Sequence, residues 1–165
     1  MRYLLLFLAL LPLGLAAQTG ADTLLLRHGV AAEQVIHQPA DRVWELVADW
    51  NNLGRIAPNV DRTVMRGRGL SATWVIYVNN GLEVPERMLT FSNALQRMSY
   101  TMVDPPLPLR NYVGVIDVDP IDDATCLLSF YLTFEAQGAH RAKLIETFHT
   151  FQEAYFEGIE AVLAK

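Results

Sequence analysis

A stretch of 25 residues near the C-terminus, Ala139 to Leu163, constrains the fold more than any other part of the chain. At about 100° per residue, their apolar side chains share one third of a helix circumference and most of their polar ones fall opposite. The apolar arc holds Leu144, Ile145, Phe148, Phe151, Tyr155, Ile159, Val162 and Leu163. Without an internal Pro, the stretch predicts a helix ~37 Å long. Its apolar face needs a partner surface, because burying each Phe or Leu is worth ~1.5–3 kcal/mol.

The partner surface is predicted to be a sheet. Strand-like segments separated by turn residues are predicted at Arg27–His37, Val60–Arg68, Ala72–Val78, Leu82–Ser92, Arg97–Val103, Asn111–Asp117 and Thr125–Glu135. Links as short as Asn79-Asn80-Gly81 require antiparallel neighbours. Two short helices are predicted between the first two strands, one starting near Asp41 and one ending at Pro58. The order predicts an α+β fold, with a curved antiparallel sheet of about seven strands wrapped around the long C-terminal helix.

The first residues have the pattern of an export signal. Arg2 is followed by an apolar core from Tyr3 to Leu15, and Gly14-Leu15-Ala16 has the small-x-small spacing of a cleavage site. The core is too short for a stable span of ~30 Å of hydrocarbon. We therefore predict a signal peptide at residues 1–16, a connector at 17–26 and an exported protein, with the bacterial periplasm as its destination; an uncleaved interfacial anchor is the alternative.

Composition excludes some classes of function. The formal net charge is −5, from 13 Lys and Arg against 18 Asp and Glu, so nothing suggests a nucleic-acid partner. The single cysteine, Cys126, lies in an apolar run and is interpreted as a buried hydrophobic residue.

Several short strings resemble the SRPBCC, or START-like, superfamily. They are Gln38–Trp44, Val47–Trp50, Val84–Leu89, Ser99–Met102 and Leu107–Tyr112, in the order in which the superfamily has them. The resemblance implies a helix-grip domain over residues 27–165, with an apolar pocket between sheet and helix. This superfamily includes polyketide cyclase/dehydrase-like and lipid-transport-like proteins.

Strand alternation indicates which side chains face such a pocket. If the even-numbered positions point toward the helix, Glu86, Tyr100 and Tyr112 are the polar points on a wall rich in Met, Phe and Leu. The predicted ligand-binding residues are Glu86, Met88, Met98, Tyr100, Tyr112, Phe130, Phe148 and Gln152. Glu86 is either a ligand partner or one half of a structural pair. Gln152 lies inside the apolar helix arc, and is either a core residue bonded to backbone or a polar group in the pocket.

The sequence is consistent with three functions. We expect a carrier or binder of a hydrophobic small molecule, such as a lipid, quinone or polyketide-like ring, that needs no cofactor. The first alternative is a cyclase or dehydratase in which Glu86 and Tyr100 or Tyr112 exchange protons. The second is a periplasmic accessory protein that acts by contact through the loop at residues 104–108. Scattered histidines predict no metal site, and no catalytic motif is present.

Overall fold

A computed structural model describes residues 25–165, so the predicted signal peptide lies outside the described residues. The seven strands are β1 (Leu25–Ile36), β2 (Val60–Arg66), β3 (Thr73–Val78), β4 (Glu83–Ser92), β5 (Arg97–Met102), β6 (Leu109–Asp122) and β7 (Thr125–Gln137). The helices are α1 (Ala40–Val47), α2 (Leu53–Ile56) and α3 (Gly138–Leu163), with short 3₁₀ turns at Trp50–Asn52 and Gly69–Ser71. β1 begins within the predicted connector, because Leu25 already pairs with Gln137.

All seven strands form a single antiparallel sheet in the order β1-β7-β6-β5-β4-β3-β2. Every neighbouring pair except β1 and β7 is consecutive in the chain, which is what the short turns require. The first strand pairs with the last and completes one side of the sheet. The predicted α+β helix-grip fold, with short helices after the first strand, is confirmed.

The C-terminal helix α3 covers only part of the sheet. Its main contacts are with β1, with β7 and with the short helix α2. Seven of its side chains are buried: Leu144, Phe148, Gln152, Tyr155, Phe156, Ile159 and Leu163. Ile145, Phe151 and Val162 of the predicted arc are only partly buried, and Phe156 is added to it. The apolar face is therefore slightly rotated from the predicted one.

Gly158 determines how closely α3 approaches α2. A Cβ atom on this residue would lie 1.6 Å from the carbonyl oxygen of Ile56. No larger residue fits there without separating the two helices. The contact presses one side of α3 against α2 at the end of the helix that lies over β1 and β7.

Candidate functional site

A cavity of about 580 Å³ lies between α3 and the half of the sheet that the helix does not cover. β3, β4, β5 and β6 supply its floor, α3 supplies one wall, and the segment after α2 supplies another. The lining side chains are mostly apolar, and include Val60, Ile76, Val78, Leu82, Val84, Met102, Leu107, Phe148, Phe151 and Ala154. The exposed polar residues Asn59, Asn80, Glu146, Thr147 and Thr150 form its rim.

Glu86 is the buried carboxyl group of this cavity. It lies on the inward face of β4, with Trp74 of β3 and Met102 of β5 as its cross-strand neighbours. Only 3% of the residue is exposed. The indole N–H of Trp74 donates a hydrogen bond of 2.8 Å to Oε2 of Glu86. The carboxyl group is therefore oriented on one side by the sheet and faces the cavity on the other.

Burial raises the pKa of Glu86 from 4.5 to about 8, and the hydrogen bond from Trp74 only partly offsets this effect. Desolvation disfavours the charged form of a carboxyl group, and among residues 25–165 no basic side chain lines the cavity to reverse this effect. At neutral pH the folded protein therefore holds Glu86 mostly as a carboxylic acid. Such a group both donates and accepts a hydrogen bond.

Aromatic rings surround this carboxyl group. Trp50 stacks on Trp74 with ring centroids 4.5 Å apart, and Tyr100 meets the Trp50 ring edge-on at 4.7 Å. The ring centroid of Tyr112 lies 6.1 Å from that of Tyr100 and 5.7 Å from that of Phe148 on α3. The rings form a continuous wall from the sheet to the helix, and fix the position of the tyrosine hydroxyl groups.

Tyr100 and Tyr112 remain neutral phenols. Burial raises the pKa of each well above the usual value, and the nearby Glu86 carboxyl adds to the effect. The pocket thus offers the hydroxyl groups of two tyrosines and one carboxylic acid on a mostly apolar surface.

The structure separates the predicted ligand-binding residues into two groups. Glu86, Tyr100, Tyr112 and Phe148 all line the cavity. Met88 and Met98 are also buried but lie further along β4 and β5, beyond Glu86 and Tyr100, and are not part of the lining.

Phe130 of β7 lies under α3, and Gln152 of α3 packs against β7, so neither side chain lines the cavity. The ring of Phe130 packs against Phe151 and Tyr155, with centroids 6.1 and 5.4 Å away. Gln152 is fully buried, and its amide Nε2 donates a 2.7 Å hydrogen bond to the Phe130 carbonyl oxygen. Of the two interpretations of Gln152, the structure supports the core residue bonded to backbone. Gln152 is not among the side chains that line the cavity, because its amide group is directed onto the backbone of β7.

Several cavity residues were not predicted. Trp50 follows α1 in a 3₁₀ turn, where no periodicity indicates a direction. Glu146 and Thr150 are exposed on α3, opposite the predicted apolar arc, and this side of the helix borders the uncovered part of the sheet. Ile76 and Val84 belong to inward-facing sets, so strand alternation contained a signal for them.

Within residues 25–165, no cluster of three potential metal-ligating side chains occurs. None of the helices formed by these residues combines the length and apolar character that a bilayer crossing requires.

Fold and cavity together define a helix-grip protein with a mostly apolar internal site. The chain belongs to the polyketide cyclase/dehydrase and lipid transport family, whose model matches residues 27–164. No curated protein sequence matches the chain.

Solved structures show the same fold. XoxI from Bacillus cereus superposes with a TM-score of 0.74 at 19% identity, covering 81% of this chain and 94% of that one. A protein from Thermobifida fusca superposes with a TM-score of 0.69 at 26% identity, covering 79% of this chain and 92% of that one. Norcoclaurine synthase from Thalictrum flavum, solved with dopamine and hydroxybenzaldehyde, reaches 0.69 at 14% identity, with 95% of both chains covered.

Proposed function

We propose that the protein is an exported carrier that holds a hydrophobic small molecule between its sheet and its C-terminal helix. The observation that carries the proposal is the cavity of about 580 Å³ with apolar walls and one buried carboxyl group. Ligand pockets typically enclose ~300–1,000 Å³ and combine apolar walls with a few polar groups. The family description includes lipid transport, which supports the same class of ligand.

Ligand capture can be tested by native mass spectrometry of the protein after gentle purification. A bound small molecule should add a discrete mass, and denaturation should release it. A cavity-filling variant, Ala154→Phe, should lose this mass, because Ala154 lines the cavity. Ala161→Phe is the matched control, since Ala161 is exposed on the same helix. Equal loading of the two variants, or an empty wild-type protein that also binds no added lipophile, would contradict the proposal.

Export is the second part of the proposal, and rests on the pattern at residues 1–16. Expression of the full chain in a Gram-negative host should yield a periplasmic protein that lacks these residues. N-terminal sequencing would identify the cleavage point. Recovery of an uncleaved cytoplasmic chain would contradict this part alone.

The loop at residues 104–108 is proposed as the contact site if a periplasmic protein partner exists. Its Leu107 lines the cavity, so a partner bound there would influence ligand entry. Crosslinking from a probe at the exposed Asp104 should identify such a partner. A probe at the exposed Arg68, in the link between β2 and β3, is the control.

A cyclase or dehydratase activity is the second candidate function. It is favoured by one observation, namely that Glu86, a carboxyl group whose pKa burial raises to about 8, shares the cavity with Tyr100 and Tyr112. A carboxylic acid with a pKa near the working pH is suited to proton transfer. If catalysis occurs, Glu86→Gln should reduce turnover by ~10²-fold or more. Unchanged turnover of a converted substrate would exclude this role.

A further inference from the structure

The ionisable side chains that residues 25–165 contribute to the cavity are all acids. Glu86 lies inside it and Glu146 lies on its rim, while the described lining contains no Lys, Arg or His. An anion that enters an apolar site needs a cation or several donors to replace its water. No cation is available here among the lining residues, and two carboxyl groups are already present.

The Glu86 carboxyl group accepts a hydrogen bond from the described part of the protein but donates none to it. Its Oε2 accepts from the indole of Trp74, and no other side chain of residues 25–165 bonds to the carboxyl group. An indole N–H is a donor only, so the acid hydrogen of Glu86 has no partner on that side. This hydrogen is free for an acceptor atom of a molecule in the cavity.

We propose that Glu86 selects neutral lipophiles whose inner end carries an oxygen acceptor, such as a ketone, and that the cavity rejects carboxylate amphiphiles such as fatty acids. This inference rests on the proposed carrier function and specifies its ligand. A ketone oxygen accepts the free acid hydrogen and leaves no unpaired group. A carboxylate at the same point could also accept this hydrogen, but its negative charge would lose its water without gaining a countercharge, which costs more than one hydrogen bond returns.

The selectivity depends on the proton of Glu86. The titratable groups that face this residue are Tyr100 from β5, Tyr112 from β6 and, on the rim, Glu146 from α3; β3 contributes the uncharged Trp74. None of them supplies a positive charge. When Glu86 loses its proton in alkaline solution, it no longer donates and it repels a ketone oxygen. Ketone affinity should therefore fall as the pH rises past about 8.

Three naphthalene derivatives test this inference by equilibrium dialysis. They are 2-acetylnaphthalene, the similarly shaped hydrocarbon 2-isopropylnaphthalene and the anion 2-naphthoate. At about pH 6 the ketone should bind at least ~5-fold more tightly than the hydrocarbon, because one additional hydrogen bond contributes an affinity difference of this size. It should bind more than ~10-fold more tightly than the anion. At about pH 9.5 the advantage over the hydrocarbon should disappear or reverse.

Variants assign the effect to Glu86. Glu86→Gln retains an N–H donor, so the ketone preference should persist but no longer depend on pH. Glu86→Leu should remove the preference. Glu83→Gln, at an exposed position on the same strand, should behave like the wild-type protein.

The outcomes separate the two proposals. If all three compounds bind and the wild-type protein shows no preference among them, or prefers the anion, the ligand class is wrong and the carrier proposal stands. The same conclusion follows if Glu86→Leu keeps the full ketone preference. If none of the three compounds binds, both proposals fail.

Discussion

Glu86 should make the folded protein less stable as the pH rises. Its pKa moves from 4.5 in the unfolded chain to about 8 in the folded protein. Between these values the folded state keeps a proton that the unfolded state has released, so the unfolded state gains with increasing pH. This contribution is fully present below about pH 4.5 and is lost as the pH rises through about 8. At ~1.4 kcal/mol per pH unit, the total loss is about 5 kcal/mol.

Urea unfolding measured by tryptophan fluorescence would check this magnitude at several pH values between about 5 and 9. Glu86→Gln removes the ionisable group but keeps an oxygen that can accept from Trp74. Between about pH 5 and pH 9, the free energy of unfolding of the variant should therefore rise by about 4 kcal/mol relative to that of the wild-type protein, because part of the total is already lost at pH 5. That change is large against the ~5–15 kcal/mol total stability of an ordinary domain.

The control is Glu83→Gln, which removes an exposed carboxyl group from the same strand. Its unfolding free energy should follow the wild-type curve at every pH. Parallel curves for the wild-type protein and Glu86→Gln would refute the reasoning. They would mean that Glu86 is ionised in the folded protein at ordinary pH, and the neutral donor on which the ligand selectivity depends would not exist.

Three further substitutions probe the architecture around the cavity. Gly158→Ala should cost about 2–3 kcal/mol in urea unfolding, although Ala normally favours a helix, because its Cβ would meet the carbonyl oxygen of Ile56 at 1.6 Å. Gly114→Ala should displace the Tyr100 ring, whose Cζ would lie 2.4 Å from the new Cβ, and so weaken ligand binding by ~10-fold while the fold persists by circular dichroism. Trp74→Phe removes the hydrogen bond that lowers the pKa of the cavity carboxyl, so the pH at which the stability loss is complete should rise.

The periodic parts of the fold could be predicted from the sequence. Strand alternation placed Val84, Glu86 and Met88 on one face of β4, and all three are buried. The pattern fails at Thr90, which is exposed because the register of β4 and β5 shifts between Met88 and Thr90. An irregularity of one residue moves every later side chain of the strand to the opposite face of the sheet. No residue type in this stretch predicts the irregularity.

The cavity itself was harder to predict than its wall. The alternation of side chains along each strand predicts which face of the sheet points inward. It does not predict where the helix lies on that face. Phe130 and Glu86 both face inward, yet α3 covers Phe130 and leaves Glu86 beside an open volume. The difference arises from the long-range contact between α3 and α2, and therefore from the packing of residues far apart in the chain.

That packing also explains why a buried carboxyl group is best understood as part of a binding site. Gly158 lets α3 press against α2, so the helix stays over β1 and β7 and leaves the β3–β6 half of the sheet without a cover. In a filled core, Glu86 would be a defect that an apolar residue could relieve. Within the part of the chain that the structure describes, Trp74 is the one hydrogen-bond partner of Glu86, and the other side of the carboxyl group faces the cavity. Burying the Glu86 carboxyl group lowers the free energy of unfolding by several kcal/mol near neutral pH. A ligand in the cavity that accepts the acid hydrogen of Glu86 gives this buried group a function.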